Sequence, residues 1–346
     1  MPAPWRFLKY TLAFTLPLTV YWAFTHSGWH SWIPLLYAFG LIPLLELLIP
    51  ARPENLSAAE AELVGRDRAY DLLLYAVVPV QYATLLAFGW ALSEAAPGSW
   101  TWWGRVVAMG LMCGVLGINV AHELGHRPKV WQQRLAQSLL ITSLYGHFFV
   151  AHNYGHHRQV ATPEDPATAR FRESVFRFWV RSIIYSYRDA WRIQRRLLRG
   201  RSWGDVRHNV MLRVHLAQAL LLGLMYGLFG LEVLGGFIAA AALGILLLET
   251  VNYIEHYGLQ RQAVNAHRYE DPRPEHSWNS NHVVGRLLLF ELSRHSDHHA
   301  RPHKPYPLLD HHPQSPQMPT GYPGMMLLAL VPPLWQRVVH PRIPQA

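Results

Sequence analysis

Long apolar stretches alternate with polar segments along the chain. Six of them, at about 9–25, 31–49, 70–92, 102–121, 210–229 and 233–252, approach the length of about 20 helical residues that crosses a bilayer. The second and third are separated by "PARPENLSAAEAELVGRDRAYD". A polar segment of about 85 residues follows the fourth and itself contains the apolar helix "LAQSLLITSLYGHFFV". About 90 residues too polar to cross follow the sixth. The pattern predicts an all-α polytopic membrane protein, a single domain over 1–346 with six transmembrane helices. The opening run "TLAFTLPLTVYWAF" lacks a small-residue cleavage site after a short apolar stretch, so it is expected to be a retained span. Neither an internal repeat nor a low-complexity tract interrupts the pattern.

Charge orients these spans. Of the 346 residues 51% are hydrophobic and 15% charged, and 31 Lys+Arg against 22 Asp+Glu leave a net charge of +9. Such a balance can mean nucleic acid, acidic lipid headgroups or an acidic protein partner, but in a membrane protein it reads first as positive charge held on the cytoplasmic side. The connections "HSGWH", "SEAAPGS" and "GLEVLGG" contain no Lys or Arg, whereas Arg6, Lys9, Arg52, Arg66, Arg68 and nearly every later basic residue fall on the opposite side. This predicts an inner (cytoplasmic) membrane protein, with both termini and the polar segments at about 122–209 and 253–346 in the cytoplasm, in contact with the lipid bilayer and not with nucleic acid. Arg105, near the outer end of the fourth span, is expected to snorkel to the interface. "RESVFRFWVRSIIYSYRDAWRIQRRLLRG" mixes aromatics and arginines at helical spacing and reads as an amphipathic helix on the inner leaflet. Docking of an acidic redox partner on Arg195, Arg196, Arg199 and Arg201 would be an addition to that reading.

Candidate chemistry lies in the histidines. The single cysteine, Cys113, sits in an apolar run and leaves no thiolate site, so a metal must be held by imidazoles and carboxylates drawn from 21 histidines and the acidic residues. Four groups stand out: His122 and His126 in "HELGH"; His152, His156 and His157 in "HNYGHH"; His256 in "NYIEHYGLQR"; and His295, His298 and His299 in "RHSDHH". All fall at the cytoplasmic end of a span or in a cytoplasmic segment. Taken alone, "HELGH" is the zinc pattern in which two histidines one turn apart bind metal and Glu123 activates water. A lone histidine such as His256 is more often a hydrogen-bonded structural residue. But H-x-x-x-H-H and H-x-x-H-H each put histidines on adjacent faces of one turn, and nine imidazoles exceed what one tetrahedral zinc takes, while they suit two metals of four or five ligands each. Imidazole suits iron, zinc, copper and nickel alike. Glu123, Glu255 and Asp297 are candidates to hold far ring nitrogens, or are plain solvated or ion-paired carboxylates. The remaining histidines read as structural or surface residues; of these His147 and His282 lie closest to the boxes.

These residues match a family. "HELGH", "HNYGHHRQVATPEDPATAR", "NYIEHYGL" and "LSRHSDHHA", with "HSWNSNH" before the last and "TGYPGMMLLALVPPLW" after it, resemble the membrane alkane 1-monooxygenases in order and spacing, from "PLLELLIP" nearly to the C-terminus. That family is related to xylene monooxygenase and, more distantly, to membrane fatty acid desaturases. "NYIEHYG" is the most specific element, since three histidine boxes alone fit a desaturase equally well. The resemblance implies a non-haem di-iron site held by His122, His126, His152, His156, His157, His256, His295, His298 and His299 beneath a six-helix bundle. It implies O2 as co-substrate, terminal hydroxylation of an alkane to a primary alcohol, and electrons from a separate rubredoxin with its rubredoxin reductase. Two departures stand out: Ala151 occupies the position where the family commonly has glutamate, and the chain ends at "HPRIPQA" with little of the family's long polar tail.

Other readings remain open at this level. A related hydroxylase of methyl-aromatics, terpenes or fatty acyl chains differs only in channel shape. An intramembrane zinc protease predicts one zinc and leaves most box histidines idle. A metal transporter wants ionisable residues along its spans, where only Glu46 and Glu249 stand out.

Overall fold

The computed structural model describes residues 3–265 and 268–344; His267, read above as structural or surface, lies outside them. The protein is mostly helical. Among the described residues four helices are long and apolar enough to cross a membrane by length and composition: Gly28–Leu48, Ala69–Ser93, Trp100–Gly125 and Val210–His256. The last is two helices that meet at Gly230, whose φ of 82° and ψ of −179° are open essentially to glycine alone. The break falls in the connection read above as "GLEVLGG". The first apolar run is also helical, over Ala3–Phe14 and Thr15–Thr25. The only strands among the described residues are the short antiparallel pair Ala263–Asn265 and Arg268–Tyr269, a small exception to the all-α expectation.

The chain folds as two compact units. The first comprises the residues up to Leu41, Asp67–Phe149 and Gln194–Leu248. Within it, Trp100–Gly125 and the second part of Val210–His256 approach through small residues: a Cβ on Gly114 would stand 3.1 Å from the Gly244 carbonyl oxygen, and one on Gly244 would stand 3.0 Å from the Gly114 nitrogen. Small residues at a crossing are the membrane solution to packing where lipid offers no hydrophobic drive. Ser99 starts the Trp100–Gly125 helix by accepting the Trp102 N–H at 3.2 Å. Arg105 does not snorkel. It is 4% exposed, and its guanidinium donates to the carbonyls of Ala23 at 3.4 Å, Ala91 at 2.5 Å and His26 at 3.4 Å. Ala23 and Ala91 lie in the last turns of Thr15–Thr25 and Ala69–Ser93 and His26 follows the first of these helices, so the charge is used as a shared C-terminal cap rather than sent to the interface.

The second unit comprises Ile42–Arg66, Val150–Ile193 and the residues from Glu249 onward. Its loops are polar yet buried, and buried arginines supply the missing backbone partners. Arg294 donates to the carbonyls of Leu309 at 2.7 Å and Glu54 at 2.8 Å. Arg181 reaches the carbonyls of Pro166 at 2.9 Å and Thr168 at 3.0 Å and pairs with Glu173 at 2.7 Å. Glu46, a buried carboxylate, accepts the Gly285 N–H at 3.0 Å and lies so close to Gly321 that any side chain there would collide with it.

Candidate metal centre

The second box is built by a local change of helix. Residues 148–159 are one helical stretch, but His152–His156 is wound as a π turn. Residues five apart diverge by about 140° around an α-helix. The wider turn brings them into line, and the Nε2 atoms of His152 and His157 stand 2.9 Å apart. His298, from the short helix His295–Ala300, adds its Nε2 at 3.2 Å from that of His157. One ring nitrogen has at most one hydrogen or one lone pair to offer, so His157 Nε2 cannot satisfy both neighbours as a directed hydrogen bond. A cation accepting all three lone pairs resolves the conflict.

A second set lies in the same unit. One ring nitrogen from each of His156, His256, His295 and His299 falls within 4.8 Å of the others, and all four residues are buried. His256 Nε2 is 3.1 Å from His295 Nε2. Neither ring nitrogen of His299, nor Nε2 of His156, has a hydrogen-bond partner among the described residues. Leaving one buried polar group unmade costs about 1–3 kcal/mol, so several at one point are expected only where something else takes the lone pairs. Burial, and then the crowd of His295, His256, His156 and His298, holds the His299 imidazole well below its usual pKa and therefore in the neutral, ligating form. The all-imidazole donor set with a carboxylate at its edge fits a transition metal.

Asp165 supports this set, and it was not singled out from the sequence. Its Oδ2 lies 2.8 Å from His156 Nδ1 and accepts from Thr168 Oγ1 at 2.6 Å, while Oδ1 accepts the Ala167 N–H at 3.1 Å. Full burial raises a carboxyl pKa, but the imidazole of His156, the hydrogen bond it makes and that of Thr168 outweigh it, and Asp165 sits below its usual value. An ionised Asp165 fixes the Nδ1–H tautomer of His156 and leaves Nε2 as a lone-pair donor. Its one sequence signal is an acidic residue in the Pro- and Thr-rich loop "TPEDPAT" just past a histidine box.

The three anticipated carboxylates differ. Glu255 belongs to the second set: its Oε2 is 3.2 Å from His295 Nε2, and its Oε1 accepts from the Tyr322 hydroxyl at 2.7 Å. Asp297 is buried against Lys304 Nζ at 2.7 Å, Arg301 Nε at 2.9 Å and His312 Nε2 at 2.8 Å; it fastens the histidine helix to residues 301–312. These partners and the Asp310 N–H overcome burial and bring its pKa down to about 2. Glu123, in the first unit, pairs with Arg127 at 2.8 Å, and Arg127 also reaches Asp71 at 3.1 Å. His122 and His126 are buried on the same unit with their rings 5.1 Å apart, one turn from each other on the last helical turns of Trp100–Gly125. His147 stands outside both histidine sets, buried, with its pKa driven down to about 3 by burial and then by nearby His215. His282 is also outside them and bonds Ser280 Oγ at 3.1 Å.

Comparison with known proteins agrees with this geometry. Residues 97–328 match the family model of fatty acid desaturases. An alkane 1-monooxygenase of Pseudomonas putida is 38% identical over 335 residues, 94% of this chain and 82% of that protein. Alkane 1-monooxygenase 1 of Pseudomonas aeruginosa is 39% identical over 347 residues, 96% of this chain and 88% of the relative. The xylene/toluene monooxygenase hydroxylase component XylM of Pseudomonas putida is more distant, 28% identical over 327 residues, 90% of this chain and 82% of the relative.

Proposed function

Because the chain belongs to the alkane 1-monooxygenases within the fatty acid desaturase family, we propose that it hydroxylates the terminal carbon of medium- or long-chain alkanes to primary alcohols. It is an oxygen-dependent monooxygenase. The balance is one alkane, one O2, two electrons and two protons in, one alcohol and one water out. The observation that carries the reading is the convergence of seven buried or half-buried imidazoles whose nitrogens face one another. We assign one iron to His156, His256, His295 and His299 and a second to the set that includes His152, His157 and His298; His122 and His126 are proposed as further ligands on the family's pattern. Bound there, the irons would supply reduction of O2 and oxidation of an unactivated C–H bond.

The chain's own residues do the positioning. Asp165 holds the Nδ1 proton of His156. Tyr322 donates to Glu255 and so orients the carboxylate that faces His295. Ala151 offers no carboxylate, so none is assigned there. The six-span arrangement is supported by the four long apolar helices, by the Gly230 break that divides the last of them, and by the helical N-terminal run. The asymmetry of Lys and Arg supports a site on the cytoplasmic side of the inner membrane. Rubredoxin, with rubredoxin reductase, is the proposed electron donor.

The test is metal content of the purified protein followed by turnover of octane or hexadecane with O2 and reduced rubredoxin. Two irons per chain and the 1-alcohol are expected. One zinc, no iron and no alcohol would sink the reading.

A further inference from the structure

Val175–Leu197 presents three different stripes around its circumference. Phe178, Ser182, Ser186 and Ala190 are buried, and Trp179 beside them donates from Nε1 to Thr250 Oγ1 at 3.0 Å, so this small-residue face is the one against the protein. Phe176, Val180, Ile184 and Tyr187 recur at helical spacing on a second face and are 49%, 61%, 45% and 39% exposed. Between the two runs a line of arginines, Arg177, Arg181, Arg188, Arg192 and Arg195. Large apolar side chains outside and serines inside is the reverse of a water-facing helix.

We infer that this helix binds anionic phospholipid: the exposed apolar stripe enters the acyl region while the arginine line meets headgroup phosphates. The inference rests on the membrane reading of the chain and adds a lipid specificity to it. Charge on the helix argues for the occupant. Arg181 is committed to Glu173 and Arg192 to Asp189 at 2.9 Å, but Arg177, Arg188 and Arg195 are exposed and make no ion pair among the described residues. Three guanidiniums without an ion pair, spread along the helix beside an apolar stripe, match anions at the depth of an interface, which phosphodiesters of one leaflet supply. An acidic protein would neutralise the arginines yet leave Phe176, Val180 and Ile184 in water.

The experiment uses the full chain in nanodiscs of phosphatidylcholine with or without phosphatidylglycerol. Incorporation itself checks the membrane reading: a chain that stays soluble without lipid overturns that reading, whereas the outcomes below concern the helix alone. A nitroxide at Val180→Cys, with Cys113 buried, should be relaxed by O2 and shielded from a water-soluble nickel chelate. Mass spectrometry of lipid retained by the protein should show phosphatidylglycerol enriched, and each of Arg177→Gln, Arg188→Gln and Arg195→Gln should cut that enrichment by about fivefold. The triple lysine variant should keep the enrichment, which separates loss of charge from misfolding. A label open to nickel, equal retention of the two lipids, or a triple glutamine variant that keeps its lipid preference but loses affinity for an acidic donor protein would each overturn the inference.

Discussion

At the scale of single residues, the site depends on what fixes each imidazole. Removing the Asp165 carboxylate leaves His156 free to change tautomer, and Asp165→Ala is expected to weaken metal binding about 10–100-fold, with Asp165→Asn milder because its amide oxygen still accepts. Metal per chain at a fixed free-iron concentration measures this. His256→Ala is expected to lose iron and activity while the protein still inserts in the membrane; full activity in that variant would make His256 a structural residue. Glu173 gives a test by pH. Burial raises its pKa, but the Arg181 hydrogen bonds, the Arg170 N–H and the attraction of both arginines bring the net value below the ordinary one. A carboxylate held low in the folded state stabilises above its unfolded pKa and loses that contribution as pH falls through the folded value. Thermal unfolding should therefore find Glu173→Gln destabilised by about 1–3 kcal/mol near neutral pH, with the gap closing below about pH 4. A gap independent of pH would show that only shape matters there. The histidine groups were legible as a set, because their spacing is periodic and chance seldom repeats it; His256 stands alone and gains weight only beside the others. Asp165 was not, because a loop residue nine positions beyond its partner leaves no period to read.

At the scale of elements, backbone conformation decides what spacing means. The sequence reading took the second box as an α-helical turn, and nothing in "HNYGHH" announces the π turn that lines up His152 with His157. Gly230 was easier, since the connection that contains it carries glycines and a charge between two apolar runs. Gly230→Ala is expected to cost about 1–3 kcal/mol, read as a lower unfolding temperature, because alanine does not hold φ 82° with ψ near 180° without strain. Gly321 is a different case: its neighbour, not its φ, excludes a side chain. Gly321→Ala should destabilise strongly, and adding Glu46→Ala should recover part of the loss, a coupling of about 0.5–3 kcal/mol in a double-mutant cycle. Additive losses would show that Glu46 moves aside freely. Arg105 shows a limit of pattern reading. Its charge near a span end reads as a snorkelling residue, but composition does not say that two helix C-termini nearby turn carbonyls toward it.

At the scale of the molecule, the polar segments that interrupt the spans are where the chemistry collects, and the long apolar runs were legible as membrane helices from length alone. The folding of those polar segments around buried arginines was not, since each pairing joins residues far apart in sequence. Because the clustered imidazoles turn their ring nitrogens toward one another, metal should stabilise the fold by mass action. Chelation is expected to lower the unfolding temperature by several degrees and ferrous iron, added back under argon, to restore it; an unchanged temperature would mean that the histidines pack equally well without metal. The two ends of the His157–His298 contact are 141 residues apart, and His256 meets His295 across 39. During synthesis the last apolar run, ending near residue 252, precedes the final histidine box by about 40 residues. Membrane insertion and metal loading are thereby separated in time, and the proposed metal sets can be completed only once the final histidine box has emerged.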